Sequence, residues 1–137
     1  MRNNKEHQEQ VALIDWCKFH EGKYPELKML YAVPNGGHRH VATAIKLKRE
    51  GVRAGVPDLC LPVARGGSHG LYVEMKCLPN KPTKEQAVWI ENLREQGYMS
   101  IVCYDWITAS EALKAYLGLG KARPYPCATK GNVNLGA

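Results

Sequence analysis

The chain has 137 residues, 45% hydrophobic and 23% charged, ordinary proportions for one α/β domain that can bury a core without disulfides or a structural metal. Nineteen Lys and Arg against thirteen Asp and Glu leave a net charge of +6, half of it on Lys121, Arg123 and Lys130 within the acid-free residues 118–137, a balance that suits a phosphate-bearing partner. The five cysteines show no CxxC spacing, and neither an apolar leader nor a run of about 18 apolar residues occurs, so reduced thiols, a cytoplasmic location and no membrane segment are expected.

Asn3 followed by Glu6 offers a helix N-cap with a capping-box partner. Val11, Leu13, Ile14, Trp16, Cys17 and Phe19 give the continuation an apolar side, so a helix of about fifteen residues is expected, ending near Glu21 and Gly22. Residues 27–33 read as a short strand stopped by Pro34, with Asn35, Gly36 and Gly37 as a turn. A helix from His38 to Glu50 follows, closed by Gly51. Val41, Ala44 and Ile45 share one face, which leaves Lys46, Lys48, Arg49 and then Arg53 for solvent. With Arg39 these make five basic residues against one acid, Glu50, between Gly36 and Pro57. Charge runs are usually no more than solvated faces, but this one leads directly to a pair of acids, where phosphates would have to be held. His38 and His40 have the spacing of a metal pair, yet no second ligand pair accompanies them.

Residues 56–63 and 71–76 are rich in β-branched and aromatic residues and are joined through Arg65, Gly66, Gly67, Ser68, His69 and Gly70, the pattern of a β-hairpin. Alternation puts Glu74 and Lys76 on one face. A turn centred on residue 67 sets Asp58 opposite Lys76 and diagonal to Glu74, roughly 7–8 Å away, close enough for two carboxylates to share a cation. A Glu-x-Lys pair on a strand is ordinarily solvated. Here Glu74 lies between Val73 and Met75, and Asp58 opens the run of Leu59, Cys60 and Leu61, where a charge is rare unless paired or bound to metal. Carboxylate oxygens suit Mg²⁺ or Mn²⁺.

Thr83 is placed to cap a helix that runs through Gln96 and closes at Gly97, with Gln86 at the capping-box position and Ala87, Ile90 and Leu93 on its buried side. Residues 98–104 read as a strand, and Thr108 with Glu111 as the start of a last helix to Leu117. Strand, helix, strand and helix in succession imply parallel pairing. Residues 1–117 thus form the domain, and the basic, Gly- and Pro-containing residues 118–137 form a poorly ordered tail.

Pro57 and Asp58, then Glu74, Met75 and Lys76, resemble the signature of the PD-(D/E)xK nuclease superfamily. More narrowly, Pro34-Asn35-Gly36-Gly37, Gly51-Val52-Arg53-Ala54-Gly55-Val56-Pro57-Asp58, Glu74-Met75-Lys76 and Gln86, in this order, resemble the virus-type replication-repair nuclease (VRR-NUC) family, with a likeness running from Glu6 to Leu117. The resemblance implies a restriction-endonuclease-like α/β core, a central mixed sheet flanked by helices, and a DNA endonuclease dependent on Mg²⁺ or Mn²⁺. It gives catalytic roles to Glu6, Asp58, Glu74, Lys76 and Gln86, and metal contacts to Asp58, Glu74, the main-chain carbonyl of Met75 and Glu6. Glu9 is the other candidate for the acid of the first helix, and Glu6 could equally serve as a cap. Gln86 fits both a helix cap and the active site, and Lys76 both a base and an electrostatic stabiliser.

DNA contacts are expected from Asn35, Arg39, Lys46, Lys48, Arg49 and Arg53. Stand-alone bacterial and phage members of the family are small dimers that cleave four-way junctions, so the resemblance implies a homodimer acting on branched DNA with no small-molecule cofactor. Tyr98, Tyr104 and Trp106 are candidates for its interface. The rival readings are a flap or general nuclease, a non-catalytic nucleic-acid-binding module, and an enzyme of small phosphorylated molecules, which lacks a G-x-x-x-x-G-K phosphate cradle.

Overall fold

The computed structural model describes residues 4–34 and 40–121; Asn3, Asn35, Arg39, Cys127 and the tail from residue 122 lie outside the described residues. Helix α1, Asn4–His20, buries Leu13 and Cys17, four apart and therefore on one face. Residues 27–33 do not form the single strand expected. A 3-10 helix, Pro25–Met29, comes first and sinks Leu27 into the core, and strand β1 is only Tyr31–Ala32. Pro25 at the start of that turn pre-sets the helical φ, which is why the segment coils before it extends.

Strands β2, Leu59–Leu61, β3, Leu71–Met75, and β4, Met99–Cys103, complete a mixed sheet in the order β1-β2-β3-β4, antiparallel except for the parallel β3 and β4. Helix α3, Lys84–Glu95, makes the crossover between β3 and β4, and α4, Trp106–Leu117, ends the domain. One sheet face carries Leu59, Leu61, Leu71, Val73 and Met75, which form the core with residues of α1 and α4. The other face carries Asp58, Cys60, Tyr72 and Glu74, and α3 packs there against β4 with Ile90 and Leu93 buried.

The hairpin register differs from the expected one. Leu59 pairs with Val73 and Leu61 with Leu71, so the next step sets Asp58 opposite Glu74 rather than Lys76. The reason lies in the link. Arg65 and Ser68 exchange both main-chain hydrogen bonds around Gly66 and Gly67, whose φ of 57° and 83° demand glycine. Counted back from that bridge, Leu61 would face Tyr72. One residue is instead absorbed where the Val63 N–H donates to the Leu61 carbonyl at 2.9 Å, a γ-turn about Pro62, whose locked φ favours it.

Helix α2, Val41–Arg49, forms as expected but buries no residue: Val41 is 72% and Ile45 56% exposed, so its apolar side finds no core here. Helix α4 is capped by Asp105, not Thr108. Extended at φ −155°, Asp105 accepts the Thr108 N–H at 2.6 Å and brings its negative charge to the positive helix end. Past α4, the Gly66 N–H donates to the Gly120 carbonyl at 2.8 Å, so residues 118–121 lie against the hairpin tip. Cys17, Cys60, Cys77 and Cys103 are free and buried, and among the described residues no helix is long and apolar enough to cross a membrane.

Candidate active site

Asp58 stands one residue before β2 and ties three strands together. Its carbonyl accepts the Val33 N–H and its Oδ2 accepts the Met75 N–H, both at 2.8 Å. Glu74 lies across the ladder on the same face. Lys76 follows two residues later, its N–H donating to the Cys103 carbonyl at 2.9 Å, so the parallel ladder and its alternation run on to the lysine. Asp58 is 5%, Glu74 2% and Lys76 8% exposed, which separates them from the solvated Glu-x-Lys of an ordinary strand.

Gln86 serves both purposes open to it. The Thr83 side chain accepts the Gln86 N–H at 3.2 Å and Gln86 Oε1 accepts the Thr83 N–H at 2.8 Å, a complete capping box. The other end of the same amide, Nε2, donates to Glu74 Oε1 at 3.0 Å. A first-turn side chain on α3 thereby orients a buried carboxylate on β3.

The two acids of α1 part company. Glu6, 4% exposed, accepts the Cys77 N–H on Oε1 at 3.4 Å, so its carboxylate is turned to the end of β3. Glu9 Oε2 instead accepts the Trp106 N–H at 2.7 Å and holds the start of α4. Nothing local announces that bond, because its partners are 97 residues apart. Glu6 arrives from the helix on the core face, beyond Lys76, and among the described residues no three His, Cys, Asp or Glu side chains come together as an ion cage. The Met75 side chain is in the core, so only its main chain can serve the acidic face.

This donor set fits a hard divalent cation. Mg²⁺ keeps several waters and takes one or two carboxylates, which Asp58 and Glu74 supply as oxygen donors on one face.

Gly55 explains how the segment before Asp58 is seated. Its φ is +91°, and a Cβ there would stand 3.0 Å from the Glu85 main chain and the Trp89 ring, so the chain lies directly on the first turns of α3 beside Gln86. A groove of about 350 Å³, lined by Val33, Pro34, Val52, Arg53, Val56 and Trp89, runs along it. Lys46, Lys48 and Arg49 on α2 and Arg53 in the following loop are exposed. Tyr98, Tyr104 and Trp106, expected on an exposed interface, are half-buried. Tyr72 shares the acidic face by its alternation with Glu74, whereas Tyr31 reaches it only through the pairing of β1 with Cys60, for which the sequence had no signal.

The chain matches the VRR-NUC domain family over residues 4–106, a span that includes Glu6, Asp58, Glu74, Lys76 and Gln86. A solved structure described as a VRR_NUC domain protein is similar with a TM-score of 0.75 at 29% identity, covering 90% of this chain and 97% of that one. No curated protein matches it. Sequence match and shared fold agree, and the chain belongs to the VRR-NUC family, a nuclease-type domain of the PD-(D/E)xK superfamily.

Proposed function

We propose that this protein is a DNA endonuclease that hydrolyses phosphodiester bonds with Mg²⁺ or Mn²⁺. The observation that carries the reading is the pair of buried carboxylates, Asp58 and Glu74, opposed on one sheet face and each oriented by a hydrogen bond, from Met75 N–H and from Gln86. Asp58, Glu74 and the Met75 carbonyl would hold the ion, with Glu6 at the margin of the site. When bound, such an ion polarises a phosphoryl oxygen and makes water a stronger acid. Lys76 positions the attacking water or a phosphate oxygen and offsets the charge that gathers on phosphorus. Gln86 holds Glu74 in place, and Lys46, Lys48, Arg49 and Arg53 hold the DNA backbone, with Arg39 assigned there as part of the same basic run and Asn35 by family likeness. Plasmid nicking with and without Mg²⁺ or Mn²⁺ tests the reading: metal-dependent nicking is expected, and its absence at micromolar protein would remove it.

The substrate we favour is branched DNA, foremost a four-way junction, cut by a homodimer. One domain supplies one cutting centre, whereas symmetric cleavage of a junction needs two opposed ones, which a two-fold dimer provides. Light scattering together with cleavage of junction, flap and linear duplex decides this. A monomer that cuts linear duplex as fast as the junction would leave a general nuclease.

A further inference from the structure

Next to the acidic row, the same sheet face carries a second row that the hydrolytic chemistry leaves unused. Tyr31 pairs with Cys60 and Cys60 with Tyr72, each two residues along its strand from Val33, Asp58 and Glu74, so the two rows share one face. Tyr98, at the entrance to β4, sets its ring 5.5 Å from that of Tyr72 at 77°, and His69 stands 5.6 Å from Tyr98. Cys60 forms a buried floor between Tyr31 and Tyr72, while Tyr31 remains 50% exposed.

We propose that this tyrosine cluster is a subsite that stacks an unpaired nucleobase beside the phosphodiester being cut. The proposal rests on the nuclease reading above. Two strand residues span about 7 Å, the reach from a phosphate at Asp58 and Glu74 to the base of the same nucleotide. Aromatic rings accept any base through its π-face, and within a duplex both faces are already covered by neighbours, so the platform selects bases that have left the stack. A second copy of this chain is the rival occupant, but it gives no account of why the rings continue the acidic row.

The test uses the full chain in EDTA with 2-aminopurine oligonucleotides, the probe placed either among unpaired nucleotides at a branch or inside matched duplex. The parent should quench the unpaired probe and not the paired one. Tyr31→Ala should lose that quenching and bind the branched oligonucleotide about tenfold more weakly, while Tyr31→Phe keeps both, as expected for stacking. Far-UV circular dichroism confirms that each variant is folded, and cleavage by the parent is read in parallel. A parent that cleaves while quenching ignores Tyr31→Ala overturns the subsite alone; a parent that quenches through Tyr31 without cleaving supports the subsite and removes the catalytic reading. Loss of a dimer on Tyr31→Ala, with quenching unchanged, overturns the subsite in favour of contact between copies.

Discussion

Gln86 joins Glu74 at 3.0 Å through one end of its side-chain amide while the other end closes the capping box on Thr83. A helix start and an active-site carboxylate therefore share one side chain, and different substitutions separate the two roles. Gln86→Ala removes both and should cost about 1 kcal/mol of stability together with activity. Gln86→Glu keeps the acceptor for the Thr83 N–H but places a carboxylate against Glu74. It should unfold close to the parent yet cleave at least about tenfold more slowly, some 1.4 kcal/mol in the barrier. Urea denaturation beside initial cleavage rates gives the comparison, and equal losses in both variants and both measurements would mean that Gln86 acts only as a cap.

Asp58→Asn keeps an acceptor for the Met75 N–H, and Glu74→Gln keeps one for Gln86, so both variants should fold. Each should cut at least about a hundredfold more slowly, roughly 2.7 kcal/mol, and bind Mn²⁺ more weakly by calorimetry. Cleavage within about tenfold of the parent contradicts the assignment.

Lys76→Ala and Lys76→Gln should lower the saturating rate far more than the metal affinity, since this side chain acts on water or phosphate. A metal titration of each variant shows the split. Weakened metal binding with an unchanged saturating rate is the outcome that would defeat this role.

Helix α2 buries no residue, so its charges can be removed without disturbing the core. Replacing Lys46, Lys48, Arg49 and Arg53 by Gln should flatten the slope of log affinity against log salt by up to about 3.6, given about 0.9 per phosphate contact on duplex DNA. A slope equal to the parent's would place the DNA elsewhere.

Asp105→Ala should lower stability at pH 7 by about 1 kcal/mol through loss of the α4 cap. The Thr108 N–H holds the Asp105 carboxyl below its ordinary 3.8, so the stabilisation is complete above that value and fades as pH falls through the lower, folded one. The gap between parent and variant in urea titrations should therefore stay constant above the ordinary carboxyl value of 3.8 and narrow as pH falls below it.

What could be read from the sequence follows how local each determinant is. Thr83 and Gln86 are three apart, and the capping box formed as expected. The common face of Glu74 and Lys76 needs only strand alternation, and the parallel β3 and β4 follow from the helix between them. The opposition of Asp58 and Glu74 was misplaced by two residues, one because the tip is centred between Gly66 and Gly67 and one because the chain bends at Pro62, neither of which the composition of the link announces. Glu9 could not be told from Glu6, one turn away, because the difference lies in what each meets across the fold: Trp106 for one and Cys77 for the other. The apolar side of α2 was read as buried because periodicity reports a face and not its occupant.

The bend at Pro62 gives the hairpin a parity. Since strand faces alternate, Asp58 and Glu74 stay together only while the two strands differ by an even count, and the two-glycine tip alone would have made it odd. Changes of hairpin length are therefore not equivalent. A single deletion between Leu61 and Arg65 must either be made good by a new bulge or turn Leu59 towards Glu74, exposing the core and dispersing the acids at one stroke. Removing two residues shortens the hairpin and leaves the chemistry facing the same way. Length variants of this link should thus be tolerated in steps of two.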